Sequence, residues 1–218
     1  DAIAASRNRA KDQFNAAAIN RAMGPIGQRA QGVGHDAIRD AGNVIGKEYD
    51  AALGSINGVN FNTPTFNQNL AQLQQMSANL VPQMKDKFDK VLNNIVLGRM
   101  STNGSMLPEV FKKVDSELGK LSSGYSKSQL ASEKEFGDAI RQLKANLFDE
   151  VKLSNPQVAE RLAAADAGWA NLVRLEGAAK SAKNNEGIFT PGQLNTAIQT
   201  ADQSTRKRAV GRGEALMQ

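Results

Sequence analysis

The chain has no cysteine, one histidine and one tryptophan among 218 residues. Without cysteine there are no disulfides, thiolate metal sites or thiol nucleophiles, so it does not read as a small secreted scaffold held by bridges. A reducing compartment or a virion suits it. With one histidine and no thiol, no metal centre is expected. No apolar run approaches the roughly 20 residues a helix needs to cross a bilayer. The N-terminal segment lacks the apolar stretch of a secretory signal, and the chain reads as soluble. Aromatic residues supply 5% and hydrophobic residues 40%. The core must therefore come from Ala, Leu, Val and Ile, which suits closely packed helices. The length allows one large domain or two small ones. The start at Asp1 and the helical ending at Leu216-Met217-Gln218 predict a piece of a longer polypeptide.

Charge of one sign is scarce except at the ends. Residues 1–21 carry Arg7, Arg9, Lys11 and Arg21 against Asp1 and Asp12, and residues 204–218 carry Arg206, Lys207, Arg208 and Arg212 against Glu214. These two stretches account for the whole net charge of +5, leaving a neutral body between basic ends. Such ends can meet nucleic acid, anionic lipid or an acidic protein surface without sequence readout. Arg7, Arg9, Lys11, Arg206, Lys207, Arg208 and Arg212 are the candidate electrostatic contacts. Short basic runs are also common on solvated helix faces, and Arg206-Lys207-Arg208 lacks the interleaved aromatics of a specific nucleic-acid module.

What the chain does contain is helical periodicity. Ala2–Met23 reads as a helix ended by Gly24-Pro25, and Gly24–Gly34 as a loop. Asp36 is a candidate N-cap for a helix burying Ile38, Val44, Ile45, Tyr49 and Leu53, where Gly42 and Gly46 weaken the helix or mark a close neighbour. Asn57-Gly58 predicts a turn and Val59-Asn60-Phe61 a short extended piece. Thr63-Pro64 starts a helix through Phe66, Leu70, Leu73 and Leu80, which Pro82 breaks or kinks. Met84, Phe88, Val91, Leu92, Ile95 and Val96 mark the next, ending near Gly98. After a polar turn at residues 101–105, a helix from Pro108 carries Val110, Phe111, Val114, Leu118 and Leu121. A break at residues 122–126 precedes a long helix to about Leu153. Asn155-Pro156 opens the last long helix, through Val158, Leu162, Ala165, Trp169, Leu172, Val173 and Glu176. Trp169 is expected to be buried with Leu162, Leu172 and Val173, leaving Glu160 and Arg174 on the polar side. The expected fold is all-α: an antiparallel bundle of six or more helices with peripheral terminal helices and hardly any strand. The expected segments are 1–62, a core of 63–182, and 183–218.

Candidates for chemistry are few. His35 beside Asp36 could be drawn as a base and its orienting carboxylate, but adjacent residues rarely orient one another and no nucleophile accompanies them. Gly32-Val33-Gly34-His35-Asp36-Ala37 matches a dinucleotide fingerprint in form only, since no strand precedes it. Glu109, Asp115, Glu117, Glu133, Glu135 and Asp138 could supply a glycosidase pair. Each stands among Lys or Arg at helical distance, as Glu117 with Lys120 and Lys134 with Asp138, the pattern of a solvated face. Asn103-Gly104-Ser105 fits a glycosylation acceptor but reads better as a turn. No catalytic residue, cofactor, metal site or small-molecule substrate is expected.

From Ala163 the order of features is specific. A helix bearing Trp169, Leu172, Val173 and Leu175 leads through Asn184-Asn185-Glu186-Gly187 into Phe189-Thr190-Pro191 and a short amphipathic helix. Thr205-Arg206-Lys207-Arg208 and the closing Gly213–Gln218 follow. This order resembles the C-terminal part of large tailed-phage and prophage virion proteins. The resemblance is strongest over 155–218 and also touches Phe14-Asn15, Ile19-Asn20-Arg21, Gly24–Gly27, Val114–Gly119 and Glu135–Ala139. It implies a virion structural protein, of the internal or ejection kind, found in the particle and in the host cytoplasm before assembly. Its implied partners are other phage virion proteins and copies of itself, with non-specific DNA or anionic-membrane contact through the basic ends. It carries over no functional residue.

Overall fold

The computed structural model describes residues 2–182, 184–201 and 216–217. Among these the chain is all-α, with eight α-helices and one two-stranded ribbon. Contacts gather it into two compact units, Asp1–Ala52 with Glu160–Gln218, and Leu53–Ala159. This division differs from the three segments expected along the sequence, because the two ends are brought into one unit that also takes most of the last long helix.

The contiguous unit opens on strand β1 (Val59–Asn60), which pairs antiparallel with β2 (Ser105–Met106). β1 falls on the expected extended piece. β2 lies in and just beyond a stretch that reads only as a polar turn, since its partner is far away in sequence. Helix α3 (Pro64–Ser77) starts as Thr-Pro dictates. The Thr63 hydroxyl accepts from the Phe66 N–H at 3.1 Å, with proline at the first helical position. The same hydroxyl donates to buried Glu150 at 2.9 Å, tying the start of α3 to the end of α6 (Ala131–Ser154). Phe61, Phe66 and Phe111 cluster beside it, with ring centres 5.2 and 6.4 Å apart.

Pro82 is the first residue of a new helix, α4 (Pro82–Lys90), which continues into a π-helical stretch at Val91–Val96. The buried residues are Met84, Phe88, Leu92 and Val96, four apart throughout. A straight α-helix would rotate that series off the core. The wider π turn takes up more residues and keeps Leu92 and Val96 facing inward.

Helix α5 (Pro108–Ser126) runs through residues 122–126, where a break is expected from composition. Their small size serves packing instead. A Cβ on Gly137 of α6 would lie 3.1 Å from the Ser126 nitrogen and 3.2 Å from the Ser122 carbonyl, so the two backbones nearly touch. Ser122 and Ser126 return their hydroxyls to carbonyls of their own helix. The break falls later, at residues 127–130. The ion pair of Lys144 with Asp115, 2.9 Å, and the contact of Gly137 with Tyr125 show that α5 and α6 run antiparallel.

In the other unit, α1 (Ala2–Met23) is divided along its length. Residues 2–11 are exposed, whereas Asn15, Ala18, Ile19, Ala22 and Met23 are buried. Helix α2 (Gly34–Gly54) begins three residues earlier than expected, so Asp36 sits in its first turn and pairs with Arg39 at 2.9 Å. Helix α7 (Pro156–Ser181) has the expected proline start, but the Asn155 amide turns back to the Val151 carbonyl at 3.1 Å. Helix α8 (Pro191–Ala201) opens with a capping box. Thr190 accepts from the Gln193 N–H, and the Gln193 side chain accepts from the Thr190 N–H at 2.8 Å.

Asn15 closes this unit. Its side chain is fully buried, donates to the Phe189 carbonyl at 2.8 Å and accepts from the Phe189 N–H at 3.1 Å. A further donation reaches the Lys11 carbonyl at 2.9 Å. The amide thus pairs with both backbone groups of a residue 174 positions away much as a second strand would. Replacing Asn15 with Ala strands both Phe189 groups in the core, at about 1–3 kcal/mol each. The expected loss of about 2–6 kcal/mol is measurable by urea denaturation. Amide exchange at Phe189 should rise with it.

Candidate functional site

A groove of about 760 Å³ lies on α2 and α7. Its form follows from small residues. The buried stripe of α7 runs Leu162, Ala165, Gly168, Leu172, Leu175 and Ala179, so glycine occupies the tightest crossing. A Cβ on Gly168 would lie 3.3 Å from Ile45 and 3.5 Å from the Ala22 carbonyl. The stripe passes one position to the side of Trp169. The expectation that Trp169 and Val173 are buried is therefore corrected. Trp169 is 38% exposed and Val173 56% exposed, because the narrow crossing admits Gly168 and leaves no room for an indole. Arg174, expected on the polar side, is buried, with its guanidinium 3.0 Å from the Asn171 oxygen.

Opposite Trp169 stand Gly42 and Gly46 of α2. A Cβ on Gly42 would meet Leu172 at 3.0 Å and Trp169 at 3.8 Å, and one on Gly46 would meet Trp169 at 3.6 Å. These glycines do mark a close neighbour, as their positions in a helical pattern predict. They form the floor on which the indole lies, with Ile38, Leu172 and Ala179 extending it. The rim is mixed in charge, with Arg39, Lys47 and Lys180 against Asp50 and Glu176. Below it Arg161 bonds Glu48 at 2.8 Å. That hydrogen bond, then the carboxylate's charge, raises the guanidinium pKa above its ordinary value. The contacts 42 with 172, 46 with 169 and 48 with 161 make α2 and α7 antiparallel.

The residues singled out for chemistry do not converge. His35 has its N–H on the Glu186 carbonyl at 2.8 Å and its ring against Gly187, while the Asp36 carboxylate is held by Arg39. The glycine fingerprint precedes a helix with no strand before it. Glu117 is gripped by Arg99 through two bonds of 2.9 Å, and Asp115 by Lys144. Glu133 accepts from Ser128, and Glu109 is exposed. Glu135 and Asp138 share the wall of a second concavity, about 530 Å³, on α3 and α6, but Asp138 pairs with Arg141 at 2.9 Å, not with the expected Lys134. Asn103 lies in the turn before β2, bonded to Ser105. Among the described residues no group of His, Asp and Glu could hold a metal ion, and no helix is long and apolar enough to cross a membrane. Arg7, Arg9 and Lys11 are exposed on α1. Arg206, Lys207, Arg208 and Arg212 lie outside the described residues.

Gly46→Ala should stabilise the protein by up to about 1 kcal/mol, since an alanine there relieves the helix penalty of glycine at ordinary contact distance. Gly42→Ala, pressed on Leu172, should gain less or lose. Paired melting curves measure the difference. Trp169→Ala should cost about 1–2 kcal/mol, short of the 3–5 kcal/mol of a buried aromatic, and iodide should quench the indole. Comparison of the chain with protein-family models, with curated proteins and with solved structures finds no match.

Proposed function

We propose that this chain is a helical structural component of a tailed-phage or prophage-derived virion, of the internal or ejection kind, that works by assembling with other phage proteins. The resemblance of residues 155–218 carries this proposal. The α2–α7 groove supports it: an indole on a glycine floor, with Val173 one turn along, releases water favourably when a protein surface covers it. Buried polar groups such as Asn15 and Glu150 make hydrogen bonds within the fold, and charged side chains such as Glu117 and Asp138 are paired on the surface. That distribution suits a scaffold whose work is done by contact. The particle is its place of action, after a stay in the host cytoplasm.

A second proposal, a phage-associated cell-wall hydrolase, draws on the Glu135–Asp138 concavity. A third, DNA or anionic-membrane binding, overlaps the first and draws on exposed Arg7, Arg9 and Lys11.

Density-gradient purification of particles from the producing strain should bring this chain down with capsid and tail proteins. Recovery only from the soluble lysate would overturn the virion assignment. In a peptidoglycan-clearing assay the protein should be inactive. Activity removed by Glu109→Gln, Glu117→Gln or Glu135→Gln would establish the hydrolase instead. If DNA is a partner, changing Arg7, Arg9 and Lys11 together to Ala should flatten the dependence of log affinity on log salt by up to about 3.

A further inference from the structure

Each strand of the ribbon follows an Asn-Gly pair, Asn57-Gly58 ahead of β1 and Asn103-Gly104 ahead of β2. In such a pair the glycine nitrogen, with no side chain beside it, can reach the asparagine Cγ. A new N–C bond closes a five-membered succinimide, the bond from Cγ to Nδ2 breaks, and ammonia leaves. Water then opens the ring at either carbonyl, giving aspartate or isoaspartate. The two pairs share this chemistry but not their surroundings. We infer that Asn57 is a site of spontaneous deamidation in the folded chain, and that hydrogen bonds from Ser101 and Ser105 hold Asn103 back from the same reaction.

Asn103 is caged. Its Oδ1 accepts from the Ser105 hydroxyl at 2.6 Å, from the Ser105 N–H at 3.3 Å and from the Ser101 hydroxyl. The attacking nitrogen is tied as well. The Gly104 N–H donates to the Ser101 carbonyl at 2.9 Å, and the Gly104 carbonyl accepts from the Phe61 N–H at 2.9 Å. Swinging Cγ onto the Gly104 nitrogen breaks several of these bonds together, and losing two of them slows the reaction about tenfold or more.

Asn57 stands exposed in a bend between α2 and β1, and among the described residues no hydrogen bond holds its side chain. Antiparallel pairing sends alternate N–H groups to the partner strand. The Phe61 N–H reaches the Gly104 carbonyl and Val59 stands opposite Met106, so the Gly58 N–H is turned away from β2. The neighbours give the reaction its consequence. Ile56 and Val59 are 6% and 0% exposed. Isoaspartate lengthens the main chain by one atom between them, so both cannot keep their places, and either product adds a negative charge. The inference stands apart from the virion proposal.

Ageing the full chain in warm, mildly alkaline buffer tests it. Trypsin, cutting after Lys and Arg, puts Asn57 on the 48–85 peptide and Asn103 on the 100–112 peptide. Mass spectra should show the amide-to-acid mass gain at Asn57, split into two isomers, about tenfold or more faster than at Asn103. Unfolded in urea, the two sites should react alike. Ser101→Ala with Ser105→Ala should bring Asn103 toward the Asn57 rate, whereas Ser105→Thr, which keeps the hydroxyl, should leave it slow. The aged protein should gain an acidic form on ion exchange and melt at a lower temperature. Asn57→Gln should abolish both changes, because the longer side chain closes a six-membered ring poorly. Equal rates at the two sites of the folded chain overturn the inference, as does conversion of Asn57 in urea alone. An Asn103 that stays slow in the double-alanine chain, with unchanged circular dichroism, overturns the protection assigned to the serines.

Discussion

The unit formed from the two ends of the chain depends on the pairing of the Asn15 side chain with the backbone of Phe189. A peptide group entering an apolar core must find partners for both its donor and its acceptor. An asparagine amide supplies both from one rigid group, here at 2.8 and 3.1 Å. Around that pairing Phe14 meets Phe189 edge to face, with centres 6.1 Å apart. The Glu186 carbonyl takes the N–H at the start of α2, and Gln193 of α8 reaches the Ser181 carbonyl at 2.7 Å. A leucine at position 15 could fill the same volume and would satisfy none of this.

With few aromatic residues, the chain gains cohesion by bringing backbones close. Gly168 against Ile45, Gly137 against Ser122 and Ser126, and Gly177 against Ala197 are the crossings where this happens. Dispersion between many close atoms replaces the burial of large rings. The same economy leaves the tryptophan outside the stripe. Where an interior is set by glycine and alanine, the largest side chain is pushed to the margin.

Much of the fold was legible in single residues. Thr63-Pro64, Pro82, Pro108, Asn155-Pro156 and Thr190-Pro191 all stand at helix starts, because proline lacks an N–H that the first turn does not need. Less legible was whatever depends on distant partners. β2 is two residues long and defined only by its pairing with β1. Residues 122–126 look like a turn until Gly137 is placed against them. Trp169 fits the three-and-four spacing as well as Gly168 does, and only the width of the crossing decides between them. The groove was half visible, since Gly42 and Gly46 hinted at a neighbour without naming it. Asn15 carried no periodic signal, for a polar residue in an apolar stripe is explained only by the peptide it meets.

The two units differ in how their residues are drawn from the chain. Residues 53–159 are continuous, so on a ribosome this unit can condense once its own stretch has emerged. The other cannot. Helices α1 and α2 are made well before Phe189, Leu194 and Ile198, which complete their core. Asn15 therefore waits with its amide in water until Phe189 has emerged. Closing so long a loop adds little entropy beyond that of a moderate one, but the delay itself leaves apolar α2 exposed to chaperones and to other nascent chains. Joining the present ends and opening the chain between residues 127 and 130 would reverse that order of birth. The late-closing unit would then be made in one piece.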